Sequence, residues 1–152
     1  MRLTRFSDIG LRVLMYLAQV DRALPITVAE VSGQFNVPHN HVVKVVGALA
    51  KLGWVDATRG RNGGIRLGVP AESLRLGTVL RALEGDKEAV DCEGLACKLA
   101  GDCFLRHALK VGLEAFYQTM NQYTLAQVAG TKTAEKLIQL HKSFLNHQVA
   151  MH

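Results

Sequence analysis

The chain has 152 residues, 49% hydrophobic and 20% charged, with a formal net charge of +5 at pH 7. That length and apolar content suffice for one compact unit with a buried core and no disulfide staples, and no apolar run approaches the roughly 18 residues that a membrane span needs. The first residues, MRLTRFSDIGLRV, carry charge through what would be the apolar part of a leader, so we expect no signal peptide, no membrane association and a cytoplasmic, thiol-reducing setting. The positive charge is unevenly placed. Residues 1–70 carry nine Lys/Arg against four Asp/Glu, whereas residues 71–152 carry nine against nine. Such asymmetry points to a basic module that meets a polyanion, joined to a neutral module with another task.

The segment FSDIGLRVLMYLAQV places Ile9, Leu11, Val13, Leu14, Leu17 and Ala18 in a mostly helical pattern, with Ser7 as expected N-cap and Asp8 in the first turn. A second, short helix starts at TVAE, where Thr27 and Glu30 have capping-box spacing, and stops near GQFNVP at Pro38. A third follows in HNHVVKVVGALAKLG, with Val42, Val45, Val46, Leu49 and Leu52 as its buried stripe and Gly53 placed to end it. Two short helices around a tight turn make a helix-turn-helix, and the first turn of the second offers His39, Asn40, His41 and Lys44 to bases or phosphates. In WVDATRGRNGGIRLGV two strand-like segments flank RGRNGG. Its glycines, Gly63 and Gly64 among them, are expected to allow positive φ. Arg59 and Arg61 project from the tip, suited to a narrow, electronegative minor groove, and Asn62 serves the turn. The fold class expected is mainly α with a small β-hairpin wing, and residues 1–70 form a winged helix-turn-helix that binds double-stranded DNA.

Residues 71–130 have a different character. LRLGTVLRALEG predicts a short helix packing Leu76, Val79, Leu80 and Leu83. The stretch from 91 to 103, DCEGLACKLAGDC, is aperiodic and holds all three cysteines, Cys92, Cys97 and Cys103, with four and five residues between them. An odd number of thiols cannot all pair as disulfides. Zinc sites favour Cys-x₂₋₄-Cys knuckles in pairs, so zinc fits poorly without being excluded, whereas a flexible three-thiolate loop suits an iron–sulfur cluster. A thiol oxidoreductase would need a Cys-x-x-Cys, which is absent, and no enzyme activity is expected. Beyond the loop, Leu109, Leu113, Phe116, Met120 and Tyr123 recur at spacings of 4, 3, 4 and 3 along one face of a long helix, expected to pair with its copy in a homodimer. The tail, 131–152, can form an amphipathic helix through Leu137, Leu140 and Phe144, with His141, His147 and His152 expected in solvent.

The wing RGRNGGIRLG and the three-cysteine loop before a long helix, together with MRLTRFSDIGLRVLMYLA, HNHVVKVVGALAKLGWV and NQYTLAQV, give the chain its likeness. From Met1 to about Ala129 it resembles the Rrf-type winged-helix iron–sulfur transcription repressors, and among them the nitric-oxide-sensing ones most. The resemblance implies that Cys92, Cys97 and Cys103 ligate a cluster, [4Fe–4S] in preference to [2Fe–2S]. It also implies that Asp8 of the partner subunit is the fourth ligand. His107 is the alternative, one residue off the pattern of the [2Fe–2S] regulators of cluster assembly. It implies a homodimer that represses from an inverted repeat and is released when nitric oxide nitrosylates the cluster. The rival readings are a [2Fe–2S] regulator of cluster-assembly genes and a zinc-stabilised winged helix with no sensing role.

Overall fold

The computed structural model describes residues 2–19, 22–60, 63–85, 88–92, 94, 96–99, 101 and 103–150. Helix α1 (Arg5–Ala18) is its central pillar, with Val13, Leu14 and Tyr16 fully buried. Its cap is Thr4, not Ser7. Thr4 has the extended backbone that a cap requires, and its Oγ1 accepts the Ser7 N–H at 3.2 Å, which leaves Ser7 buried inside the first turn.

Thr27 caps α2 (Val28–Phe35) by accepting the Glu30 N–H at 3.1 Å. The expected capping box closes only on that side. The Glu30 carboxylate turns inward, where it accepts the Tyr16 hydroxyl at 2.6 Å and Arg22 Nη2 at 2.5 Å. Asn36, left-handed at φ 50°, ends α2, and Pro38 leads into α3 (His39–Lys51). Val42, Val45, Val46 and Leu49 bury as expected, but Leu52 is 44% exposed because it caps the helix beyond its last buried turn. Gly53 follows at φ +73°.

Strands β1 (Val55–Thr58) and β2 (Gly64–Leu67) pair antiparallel, Val55 opposite Leu67 and Thr58 opposite Gly64. Of the wing glycines expected to allow positive φ, Gly60 adopts it (+109°), whereas Gly63 and Gly64 do not. Gly63 and Gly64 are required for close approach: a Cβ would stand 2.2 Å from the Thr58 oxygen at the first and 2.6 Å from the Ile26 oxygen at the second. The wing is anchored there, since Ile65 N–H donates to the Ile26 oxygen at 2.7 Å.

Helix α4 (Leu76–Glu84) buries Leu76, Val79, Leu80 and Leu83 as expected, and Leu83 presses so closely on Gly10 that a Cβ there would meet it at 2.7 Å. Against α4 lies α5 (Phe104–Met120), followed by α6 (Leu125–Ala129) with a full Thr124/Gln127 capping box. Tyr123, expected on the long helix, falls in the turn after it. Helix α7 (Thr131–Ala150) buries Leu137 and half-buries Leu140 and Phe144, matching the amphipathic pattern. His141, expected in solvent, is buried, while His147 is exposed and His152 lies outside the described residues. One continuous core unites α1, α2, α3, the hairpin, α4, α6 and Leu137 of α7. The architecture is mainly helical with a two-stranded wing, as expected. Among the described residues no helix is long and apolar enough to cross a membrane.

Candidate nucleic-acid interface and cysteine loop

With Val42, Val45, Val46 and Leu49 committed to the core, α3 turns its other face outward, and His39, Asn40 and Lys44 are exposed on it. No side chain caps its N-terminus, so no side chain offsets the positive end of the helix dipole there, which favours phosphate. His41 is half-buried. With Lys44 and Arg5 it lines a cleft of about 230 Å³ between α1 and α3. Sequence reasoning passed over Val43, which is 48% exposed between these polar groups. Its apolar side chain is of the type that meets a thymine methyl. The signal was available, since position 43 falls off the 42–45–46–49 stripe.

At the wing, Arg59 is exposed, and Arg61 and Asn62 lie outside the described residues. Arg66 pairs with Asp56 across the hairpin at 3.3 Å with most of its side chain in solvent. The basic groups of α3 and the hairpin thus stand on one module, and among the described residues its buried polar groups include Ser7, Glu30, His141 and the Arg22 side chain.

The cysteine loop sits at the head of α5, and all three of its thiols are free. Cys103 is the residue before α5, Cys92 is half-buried and Cys97 exposed. The Cys97 N–H donates to the Cys92 oxygen at 3.0 Å. Asp91 Oδ1 accepts the Gly94 N–H at 2.7 Å, and Ala96 turns the chain at φ 46°. Partial burial pushes the Cys92 thiol up in pKa, and its neighbours Cys97, Cys103 and Glu88 push the same way while Arg106 opposes them. Among the described residues no three His, Cys, Asp or Glu side chains converge as a ready single-ion site. A soft three-thiol set in one loop still matches the donor chemistry of iron–sulfur ligation, in which each thiolate binds a different iron.

Asp8 is half-exposed on α1 and chelates Arg12, at 3.0 Å from both Nε and Nη2. His107 is exposed in the first turn of α5, its N–H reaching the Cys103 oxygen at 3.4 Å. No grouping among the described residues joins either side chain to the thiols within the chain. Leu109, Leu113 and Phe116 are half-buried along a cleft of about 720 Å³ between α5 and residues Leu3, Glu84 and Ala89. Met120 is half-buried too, and Tyr123 is exposed. The most exposed large apolar groups of α5 are Phe104, at 80%, with Leu105 and Val111.

A helix-turn-helix with a paired hairpin beside it, carried on the same core as a thiol-bearing second half, defines a winged-helix transcription regulator. A family model described as Rrf2, iron-dependent transcriptional regulator, matches residues 3–131, and the chain belongs to that family. It is a regulator and not an enzyme, of a type that binds DNA and usually acts as a dimer. Solved structures agree in fold. CymR (YrzC), the global cysteine regulator of B. subtilis, matches with a TM-score of 0.67 at 22% identity over 85% of this chain and 96% of its own. The oxidised form of Staphylococcus aureus CymR matches at 0.63 and 26% identity, covering 86% and 98%. IscR of T. potens matches at 0.65 and 17% identity, covering 84% and 85%.

Proposed function

We propose that this regulator is a nitric-oxide-responsive repressor of the NsrR type, binding an inverted repeat as a homodimer and holding an iron–sulfur cluster on Cys92, Cys97 and Cys103. The observation that supports the reading is that three free thiols occupy one short loop leading into α5. That helix packs on α4, α4 on α1, and α1 on α3. A change at the loop thus has a continuous path of packed helices to the DNA-reading face. A bound cluster would supply iron open to attack by nitric oxide. The chain's own residues do the rest. Cys92, Cys97 and Cys103 would hold the iron as thiolates, and Asp8 of the partner subunit would be a hard, weaker fourth ligand. Arg12 stands ready to take that carboxylate whenever it is not on iron. Retention of Asp8 by Arg12 would loosen the tie between one subunit's loop and the other's α1. The two α3 helices would then drift from the roughly 34 Å spacing of successive major grooves. Tenfold weaker binding requires only about 1.4 kcal/mol of such coupling.

His39, Asn40, Val43 and Lys44 are proposed to read the major groove, Arg5 with His41 the adjoining phosphate, and Arg59, Arg61 and Asn62 the minor groove, with Gly63 and Gly64 shaping the tip. The seam of Leu109, Leu113, Phe116, Met120 and Tyr123 is proposed as the dimer contact. The deciding experiment measures iron, acid-labile sulfide and zinc on anaerobically purified protein, together with operator affinity before and after nitric oxide. About four iron and four sulfide per chain, with affinity lost on exposure to nitric oxide, is the expected result. About two of each would indicate the cluster-supply regulator, and roughly one zinc without sulfide a structural site that ends the sensing proposal.

A further inference from the structure

Glu30, the Tyr16 hydroxyl and the Arg22 guanidinium converge on one buried place in the winged helix, and the C-terminal helix reaches it. His141 of α7 stacks on the Tyr16 ring of α1, centroids 3.8 Å apart and planes 20° from parallel, and Tyr16 in turn meets Phe35 of α2 edge-on at 5.6 Å. The His141 Nε2 lies 3.0 Å from the Tyr16 carbonyl oxygen. A carbonyl only accepts, so Nε2 carries the proton and the neutral ring presents a bare Nδ1. That Nδ1 is 3.9 Å from Glu30 Oε1. Glu30 is held by the Tyr16 hydroxyl and by Arg22, whose guanidinium also lies over the Phe144 ring of α7 at 5.4 Å. Two residues of α7, one turn apart, therefore grip the end of α1, the connector after it and the start of α2.

We infer that α7 is a working part of the DNA-binding module, with His141 a positioning residue that holds α1 and α2 in the arrangement that aims α3. The inference rests on the family's DNA-binding role alone and is independent of any cofactor or effector. Helix α2 has only eight residues, too few to be stable unaided, so its pose depends on what it packs against. Its buried Glu30 ties it to Tyr16 and Arg22, and His141 covers that tie from the far side. If α7 lets go, the fraction of molecules with α3 correctly aimed falls, and apparent operator affinity falls with that fraction.

The groups that face His141 are Tyr16 from α1, Arg22 from the connector and Glu30 from α2. Burial holds His141 below the ordinary histidine pKa; Arg22 adds to this, while the Tyr16 hydrogen bond and Glu30 oppose it. The docked form is thus the neutral one. Its contribution is complete above about pH 6.5 and is lost as pH falls further, because the undocked ring takes up the proton first.

The test uses the full-length chain, wild type beside His141→Ala and His141→Gln, measuring operator affinity from about pH 5.5 to 8 and hydrogen exchange of the α2 amides. Ala at 141 should weaken operator binding about tenfold at pH 7.5 and speed exchange across Val28–Phe35. Gln, whose amide can still donate to the Tyr16 carbonyl, should recover most of the affinity and show a flatter acid limb than wild type. Wild-type affinity and α2 protection in His141→Ala would overturn the inference, as would equal losses in both variants with an unchanged pH profile, which would mean packing only. If the alanine variant fails to fold, the glutamine variant's acid limb decides alone: a limb identical to wild type overturns the inference.

Discussion

Asp8 and Glu30 are both acids in the first turn of a helix, where the dipole favours them, yet their surroundings give them opposite uses. Asp8 stands half in water, its partner among the described residues a flexible arginine, so its carboxylate is free to leave for a better one. Glu30 has no exposed side-chain surface and is pinned from two sides. Removing Arg22 would strand a buried charge, a loss of about 3–5 kcal/mol. The difference predicts that Asp8→Ala folds and dimerises normally but yields a labile or spectrally altered cluster with a changed nitric-oxide response. Ultraviolet–visible spectra and decay under air would check it. An unaltered spectrum and response in Asp8→Ala, with cluster loss in His107→Ala, would transfer the ligand role to His107. Tyr16 shows the same principle: its burial and the Glu30 carboxylate keep the phenol protonated across the whole physiological range.

Helices α4 and α5 meet almost backbone to backbone. A Cβ on Gly77 would lie 2.1 Å from the Tyr117 oxygen and 2.6 Å from Asn121 Oδ1. The same Asn121 oxygen accepts the Thr78 N–H at 2.8 Å, serving an N-terminus whose own cap residue, Arg75, offers no side-chain acceptor. Arg81 strengthens the contact by pairing with Glu114 and lying 4.4 Å over the Tyr117 ring. Gly77→Ala should therefore force the two helices apart and cost about 1–3 kcal/mol, read as a lower urea midpoint. Because α5 carries the cysteine loop at its head, the same variant should also blunt any signal passing from loop to α1. A destabilisation within experimental error would show that the α4–α5 contact can slide.

The charge imbalance of the whole chain has a direct consequence for binding. All of the net positive charge belongs to residues 1–70, on the module that carries α3 and the wing. Operator affinity should fall steeply with salt, the logarithmic slope reporting about 0.9 per phosphate neutralised. Within that, Arg59→Ala is expected to weaken binding to operators with A/T-rich flanks more than binding to random DNA. Equal losses on both, with the slope reduced by about one, would make Arg59 a phosphate contact alone.

Features set by local chemistry were open to a reader of the sequence. The periodicity of Val42, Val45, Val46 and Leu49, the turn glycines, the charge asymmetry and the crowding of three cysteines each depend on residues near one another in the chain. From them came the helices, the wing and the expectation of a thiol site. What distance in sequence separates was not legible. Thr4 and Ser7 are equally good caps until the backbone chooses, and Glu30 completes a capping-box pattern that a stronger pull from Tyr16 and Arg22 overrides. His141 lies 125 residues from Tyr16, and no local pattern separates a histidine that will be buried there from one in solvent. Gly77 and Gly64 look like ordinary glycines until another backbone arrives beside them. Local chemistry set which segments would be helix, strand and loop. Which faces meet, and which polar groups must share one buried place, was set by long-range packing, because burial and pairing are properties of the assembled core.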